Sequence, residues 1–201
     1  MLKKVVLPAL LALALPIAAL ADSQINFNGQ GGSLSGSSAG LTLTGSTLIA
    51  VSNYFGFSTI GSNLGTVSFT TGALLSGSLA GGGTFSSTGS TVTIVGNGVN
   101  GVPLGTIFSG SFTGDVTLIE SGTSLHSYSL FGVVTGTLAT GGQANGSLIM
   151  DFATGKGWMG ESVKVGSVDT TVVAPEPGTL SLFGTGLIGL AGIIRRKLRL
   201  A

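Results

Sequence analysis

Residues 126–152, HSYSLFGVVTGTLATGGQANGSLIMDF, alternate apolar and small polar side chains on either side of the glycine pair Gly141-Gly142. A period of two is that of a half-buried strand. The same texture recurs in LTLTGSTLIAVS at 41–52, GTVSFTTG at 65–72, STVTIVGNG at 90–98 and GSFTGDVTLIE at 110–120. Together these phrases predict about nine to eleven strands with turn signals every ten or so residues, as in sandwiches and barrels. No stretch of helical length between residues 22 and 173 repeats apolar residues at i, i+3, i+4 and i+7, and threonine, valine and glycine disfavour helix there. The expected fold is all-β: an antiparallel β-sandwich or barrel-like meander, flanked by an N-terminal signal helix and a C-terminal transmembrane helix. A glycine, serine-or-threonine, large-apolar phrase recurs at Gly32, Gly65, Gly77, Gly105, Gly110, Gly136 and Gly146. Its irregular spacing argues against a solenoid and reads as turn-to-strand chemistry, with a β-helix as the remaining alternative.

Charge is scarce. Of 201 residues only 7% are charged and 36 are glycine, against roughly a quarter charged in an ordinary soluble domain. The cations Lys3, Lys4, Arg195, Arg196, Lys197 and Arg199 sit at the ends, leaving Lys156 and Lys164 against Asp22, Asp115, Glu120, Asp151, Glu161 and Asp169. So mildly acidic a body lacks the basic stripe that phosphate recognition needs, and nucleic acid is not an expected partner. No charged residue occurs from Ser23 to Gly114. Sheet edges there would pair easily with another copy or a polymer unless a barrel closes them. The absence of cysteine excludes disulfides, thiolate metal sites and a thiolate nucleophile.

Residues 1–21, MLKKVVLPALLALALPIAALA, carry the basic start, apolar stretch and small residues at Ala19 and Ala21 of a secretory signal. Cleavage is expected after Ala21, with the export translocon and signal peptidase as partners, and Asp22 opens a passenger over residues 22–173.

Chemical motifs in the passenger are thin. Gly96-Asn97-Gly98-Val99-Asn100-Gly101 matches G-x-G-x-x-G, but Pro103 and β-prone residues follow where a nucleotide site needs a helix, so a turn is expected. His126, the single histidine, would have to serve any serine hydrolase with Asp115, Asp151 or Asp169 as orienting acid; its alternation with Leu125 and Tyr128 reads instead as a half-exposed strand position. Scattered acids are expected to solubilise rather than to form a glycosidase pair. Trp158 and Tyr128, with Tyr54 and Phe131, are candidate sugar contacts, the competing role being core packing. No cofactor and no metal are expected.

The last stretch, residues 174–201, has three parts in order. Pro175-Glu176-Pro177 forbids regular pairing. Leu180 to Ile194 is an apolar run that would span roughly 22 Å as a helix. Arg195, Arg196, Lys197 and Arg199 then mark a cytoplasmic end. With Gly184, Gly186, Gly189 and Gly192 in the apolar run, this ending closely resembles the PEP-CTERM family of exported bacterial proteins. The resemblance implies a sorting signal recognised by exosortase, a membrane transpeptidase-like enzyme of bacteria that make exopolysaccharide. It further implies transient anchoring in the inner membrane, removal of the helix near Pro175–Pro177, and delivery to the cell surface or matrix. The expected function is a non-enzymatic surface or extracellular-matrix protein; the alternatives are an exopolysaccharide-binding β module or a hydrolase using Asp and Glu residues.

Overall fold

Eleven consecutive residues of the opening stretch pair without a slip, from Ser127↔Ala153 to Thr137↔Gln143. Tyr128, Leu130, Val134 and Leu138 on one side of this hairpin, and Ala144, Leu148, Met150 and Phe152 on the other, are all buried. Their neighbours Phe131, Val133 and Ile149 point outward, which is the alternation read from the sequence. The computed structural model describes residues 23–174 except residue 123, and every strand pairing in it is antiparallel. The strands are β1 (Ser23–Gln30), β2 (Ser33–Ser37), β3 (Gly40–Tyr54), β4 (Phe57–Thr70), β5 (Leu74–Ser78), β6 (Gly82–Phe85), β7 (Thr91–Asn97), β8 (Leu104–Phe112), β9 (Val116–Gly122), β10 (Ser127–Leu138), β11 (Gln143–Ala153) and β12 (Val163–Ala174).

Several of these are halves of one longer strand. β1 and β2 both run along β3, with Gln30↔Thr47 followed by Ser33↔Thr44 in the same register. β8 and β9 likewise both run along β10, while β4 leads into β5 and β6 into β7 along a shared neighbour line. Joined in this way, the strands form an up-and-down meander that closes as an eight-strand antiparallel barrel. Closure brings β12 against β2 through Val163↔Leu34 and Lys164↔Ser33, and the Val165 N–H donates to the Gly32 carbonyl at 3.3 Å. Further along the seam the Asn28 amide donates to Asp169 at 2.6 Å and the Thr171 hydroxyl to Asn26 at 2.8 Å. The expectation of an all-β meander holds; sandwich and β-helix do not. Helices expected at residues 1–21 and 180–194 lie outside the described residues.

Because the strands alternate in direction, the barrel has two unlike rims. One carries the start of β1, the turns at 54–57, 97–104 and 138–143, and Ala174. The opposite rim carries the turns at 37–40, 78–82, 122–127 and 153–163. Between them the inward side chains form one apolar cluster that includes Phe27, Leu34, Leu48, Phe69, Ile94, Phe108, Leu148 and Val168. Each such side chain contributes about 1.5–3 kcal/mol by leaving water.

The recurring glycine phrase turns out not to mark turns. Gly65, Gly110, Gly136 and Gly146 lie inside strands, at points where one strand's backbone presses against the next. A Cβ on Gly146 would stand 1.8 Å from the Thr171 carbonyl oxygen, and one on Gly110 2.1 Å from that of Thr135. Gly110 also faces Gly136 across the β8–β10 pairing, with the Phe108 ring lying over Gly136. Strand glycines at such bends let a sheet curl until it closes, and a ring from the core fills the space they leave. Gly146→Ala should therefore lower stability by about 3 kcal/mol or more, since the overlap is with backbone that has nowhere to move. Gly122→Ala, where a Cβ meets nothing within 4 Å, should change it by less than about 0.5 kcal/mol. Urea unfolding of the two variants measures the contrast.

Candidate functional site

Three places in the barrel bear on function: the opposite rim, the wall beside it, and the strand end from which the tail departs. At the opposite rim the loop between β11 and β12 folds back over the barrel mouth and inserts Trp158, which is 0% exposed. Its indole N–H donates to the Glu161 carbonyl at 2.8 Å, and its backbone N–H donates to the Tyr128 hydroxyl at 3.0 Å. That hydroxyl in turn donates to the Ala80 carbonyl at 2.8 Å, tying the β5–β6 turn to the same knot. Phe152 lies 5.0 Å from the Tyr128 ring and 5.1 Å from the Trp158 ring. The small residues Gly36 and Gly160 make room for the plug, and the Gly36 N–H donates to the Gly160 carbonyl at 3.0 Å.

The structure thus brings the two candidate sugar contacts together, but with their faces turned into protein. Tyr128 is 1% exposed, and a sugar ring needs an open aromatic face. Trp158 and Tyr128 are the stopper of the barrel and not a sugar platform. Of the other two aromatics, Tyr54 is buried and Phe131 is half exposed on the outer wall. In the sequence Trp158 follows Gly155-Lys156-Gly157, a turn-like setting compatible with exposure; the plug depends on Gly36 and Ala80, far away in the chain. Tyr128→Phe strands the Trp158 N–H and the Ala80 carbonyl together, and should cost about 2 kcal/mol. Denaturant titration followed by Trp158 emission reads that loss directly.

Beside the plug, the outer wall carries a cleft of ≈ 560 Å³ lined by Ser121, Ser129, Asp151 and Lys164 over Tyr128 and Phe152. It opens where the β11–β12 register slips between Asp151 and Phe152. Here the Ser129 hydroxyl donates to Asp151 at 2.5 Å. Three further carboxylates are engaged in the same stapling manner. Asp169 accepts from Asn28, Glu120 sits 2.5 Å from His126 Nδ1, and Glu161 pairs with Lys156 at 3.1 Å. His126 occupies the turn before β10 with φ 45°, not a strand, and its acidic partner is Glu120 rather than Asp115, Asp151 or Asp169. Asx and histidine side chains tolerate positive φ better than most, so the turn geometry overrides the alternation seen in the sequence.

Glu161 holds its own loop. Hydrogen bonds from its own backbone N–H, from Lys156 and from the Met159 N–H keep its carboxyl below the usual carboxylate range. A folded-state pKa below the unfolded one contributes stability above the unfolded value, and that contribution is lost as pH falls through the folded value. The Met159 amide resonance should therefore titrate with a midpoint below that of a free glutamate, and Glu161→Gln should abolish the transition.

At the first rim, Gly96–Gly101 ends β7 and forms the loop into β8, with positive φ at Gly98, Asn100 and Gly101. This is the turn expected from the sequence, with no helix to receive a phosphate. On the same rim β12 runs to Ala174, one residue beyond the boundary drawn from composition, with Val173 still paired to Asn145. Residues 173–197 match the PEP-CTERM protein-sorting motif.

The chain carries a PEP-CTERM sorting signal. It is thereby marked as an exported protein that exosortase sorts, held in the membrane in passing on its way toward the cell surface. No curated protein and no solved structure matches the chain. The first two residues of the matched stretch, Val173 and Ala174, are also the last of β12. Pro175, Glu176 and Pro177, the apolar positions Leu180, Gly184, Gly186, Gly189, Gly192 and Ile194, and the basic Arg195, Arg196, Lys197 and Arg199 lie outside the described residues, as do Ala19 and Ala21. Among the described residues no helix is long and apolar enough to cross a membrane.

Proposed function

We propose that the protein is a non-enzymatic surface or extracellular-matrix component, exported by residues 1–21 and handed to exosortase by the tail. Cleavage near Pro175–Pro177 then leaves the barrel at the surface, in contact with exopolysaccharide. The observation that carries the reading is the direct passage of β12 into the sorting motif at Val173 and Ala174. A closed, plugged barrel that ends on the motif can be delivered whole, because removal of everything after residue 174 takes none of the described strands from the wall. A structural role is supported by how the ionisable side chains are used: Asp151, Asp169, Glu120 and Glu161 each bond a neighbouring side chain, which is how charges serve a wall rather than a reaction.

The test is the intact mass and location of the protein in cells with and without exosortase. Cells with the enzyme should yield a surface or released form that lacks the residues after the proline-glutamate-proline, and cells without it a membrane-held form ending at Ala201. A C-terminus retained at Ala201 in both would overturn the sorting reading.

A further inference from the structure

The two rims of the barrel differ in charge, and the difference has a direction. Among the described residues, Glu120, His126, Lys156, Glu161 and Lys164 stand at or beside the opposite rim, and Asp115 and Asp151 lie on the half of the wall nearer to it. The rim from which Ala174 departs has no described charged side chain: no Asp, Glu, Lys, Arg or His occurs in the turns at 54–57, 97–104 or 138–143. The charge closest to it along β12, Asp169, is set back on the wall and bonded to Asn28.

That same neutral rim is tipped with apolar side chains. Leu104 is 82% exposed and Ile60 83%, and Phe55 and Val99 are close to half exposed. Phe55 and Val99 lie in turns, and Ile60 and Leu104 in the strands that leave them. The Asn97 amide donates to the Asn63 carbonyl, and Gly101 lies against the Phe57 ring, so the 97–104 turn rests on the hairpin that carries Phe55 and Ile60. Leu125 and Met159, at 68% and 76%, are as bare at the opposite rim, but they stand beside the Glu120–His126 and Lys156–Glu161 pairs. A bilayer would have to strip water from those charges, at a cost of several kcal/mol. At the other rim, the described residues that lipid contact would remove from water are apolar or neutral polar ones.

We propose that this rim is a lipid-contacting surface: Phe55, Ile60, Val99 and Leu104 rest in the headgroup and upper acyl region of the bilayer while the tail is still attached. The inference builds on the sorting reading, because it is the tail that brings the rim to the membrane. Ala174 leaves from this rim, and the apolar run begins at Leu180. Even fully extended, the chain between them reaches roughly 20 Å, so the body stays within one bilayer leaflet's thickness of the lipid. The barrel then stands rim-down with its plugged, charged end toward solvent. Interfacial anchoring by a few exposed apolar tips is weak by itself and becomes effective when a second anchor supplies proximity.

The chain has no cysteine, so a single one can be placed and labelled cleanly. Full-length chain bearing an environment-sensitive nitrobenzoxadiazole label at Leu104→Cys or Ile60→Cys, and in parallel at Leu125→Cys or Met159→Cys, is reconstituted in phosphatidylcholine vesicles with and without a shallow nitroxide lipid. Unchanged Trp158 emission certifies the fold in each variant. The expected result is blue-shifted, nitroxide-quenched fluorescence at positions 60 and 104, and unshifted, unquenched fluorescence at 125 and 159. If the chain floats with the vesicles but the rim labels stay in water, or all four positions are quenched alike, the proposal is overturned and the sorting reading stands. Failure of the chain to float would overturn both. A rim signal that vanishes when the chain is diluted in excess lipid assigns the surface to a second copy, which also overturns it.

Discussion

Backbone must pass within contact distance of backbone wherever the wall of this barrel turns, and side chains are excluded from those points. Gly146 against Thr171, Gly65 against Val95 and Gly110 facing Gly136 are places where the constraint is tight. With any Cβ there the sheet would flatten, and β12 would not arrive at β1 and β2 in register. Everything else in the fold depends on that arrival: the enclosed apolar cluster, the pairing of Val163 and Lys164 with β2, and the seam of Asn28 to Asp169 and Asn26 to Thr171.

Closure also resolves what a nearly uncharged β protein would otherwise face. A chain with no charge from Ser23 to Gly114 has nothing with which to repel another strand at an exposed edge. A barrel needs no such repulsion, because each long strand already has a neighbour on both sides. Most of the described charges stand at or beside the plugged rim, and the rim from which the tail departs has none among the described residues. The last strand of the wall ends within the sorting motif, and the surface around that end is free of described charges.

The fold class was legible because strand alternation is local: a residue's burial follows from its parity along β10 or β11, and the parity is written in the sequence. The sorting signal was legible for a similar reason, its three parts being read in linear order. The stopper was not. Trp158 is buried because Gly36, Ala80 and Tyr128 meet it from three other parts of the chain, and no local pattern reports such a meeting. His126 was misplaced on a strand for the opposite cause, since an alternation that happens to extend into a turn looks like a strand until the backbone reverses.

By itself the sequence determined the strands, the scarcity of charge, the absence of thiol chemistry and the address at the end of the chain, all of which follow from residue type and neighbours in line. Only the tertiary structure decided that the in-strand glycines are bends rather than turns, that the aromatic pair closes a mouth instead of greeting a sugar, and that the described charges gather toward one rim. The reason is the same in each case. Those properties belong to surfaces assembled from segments far apart in the chain, and they come into being when the last strand pairs with the first.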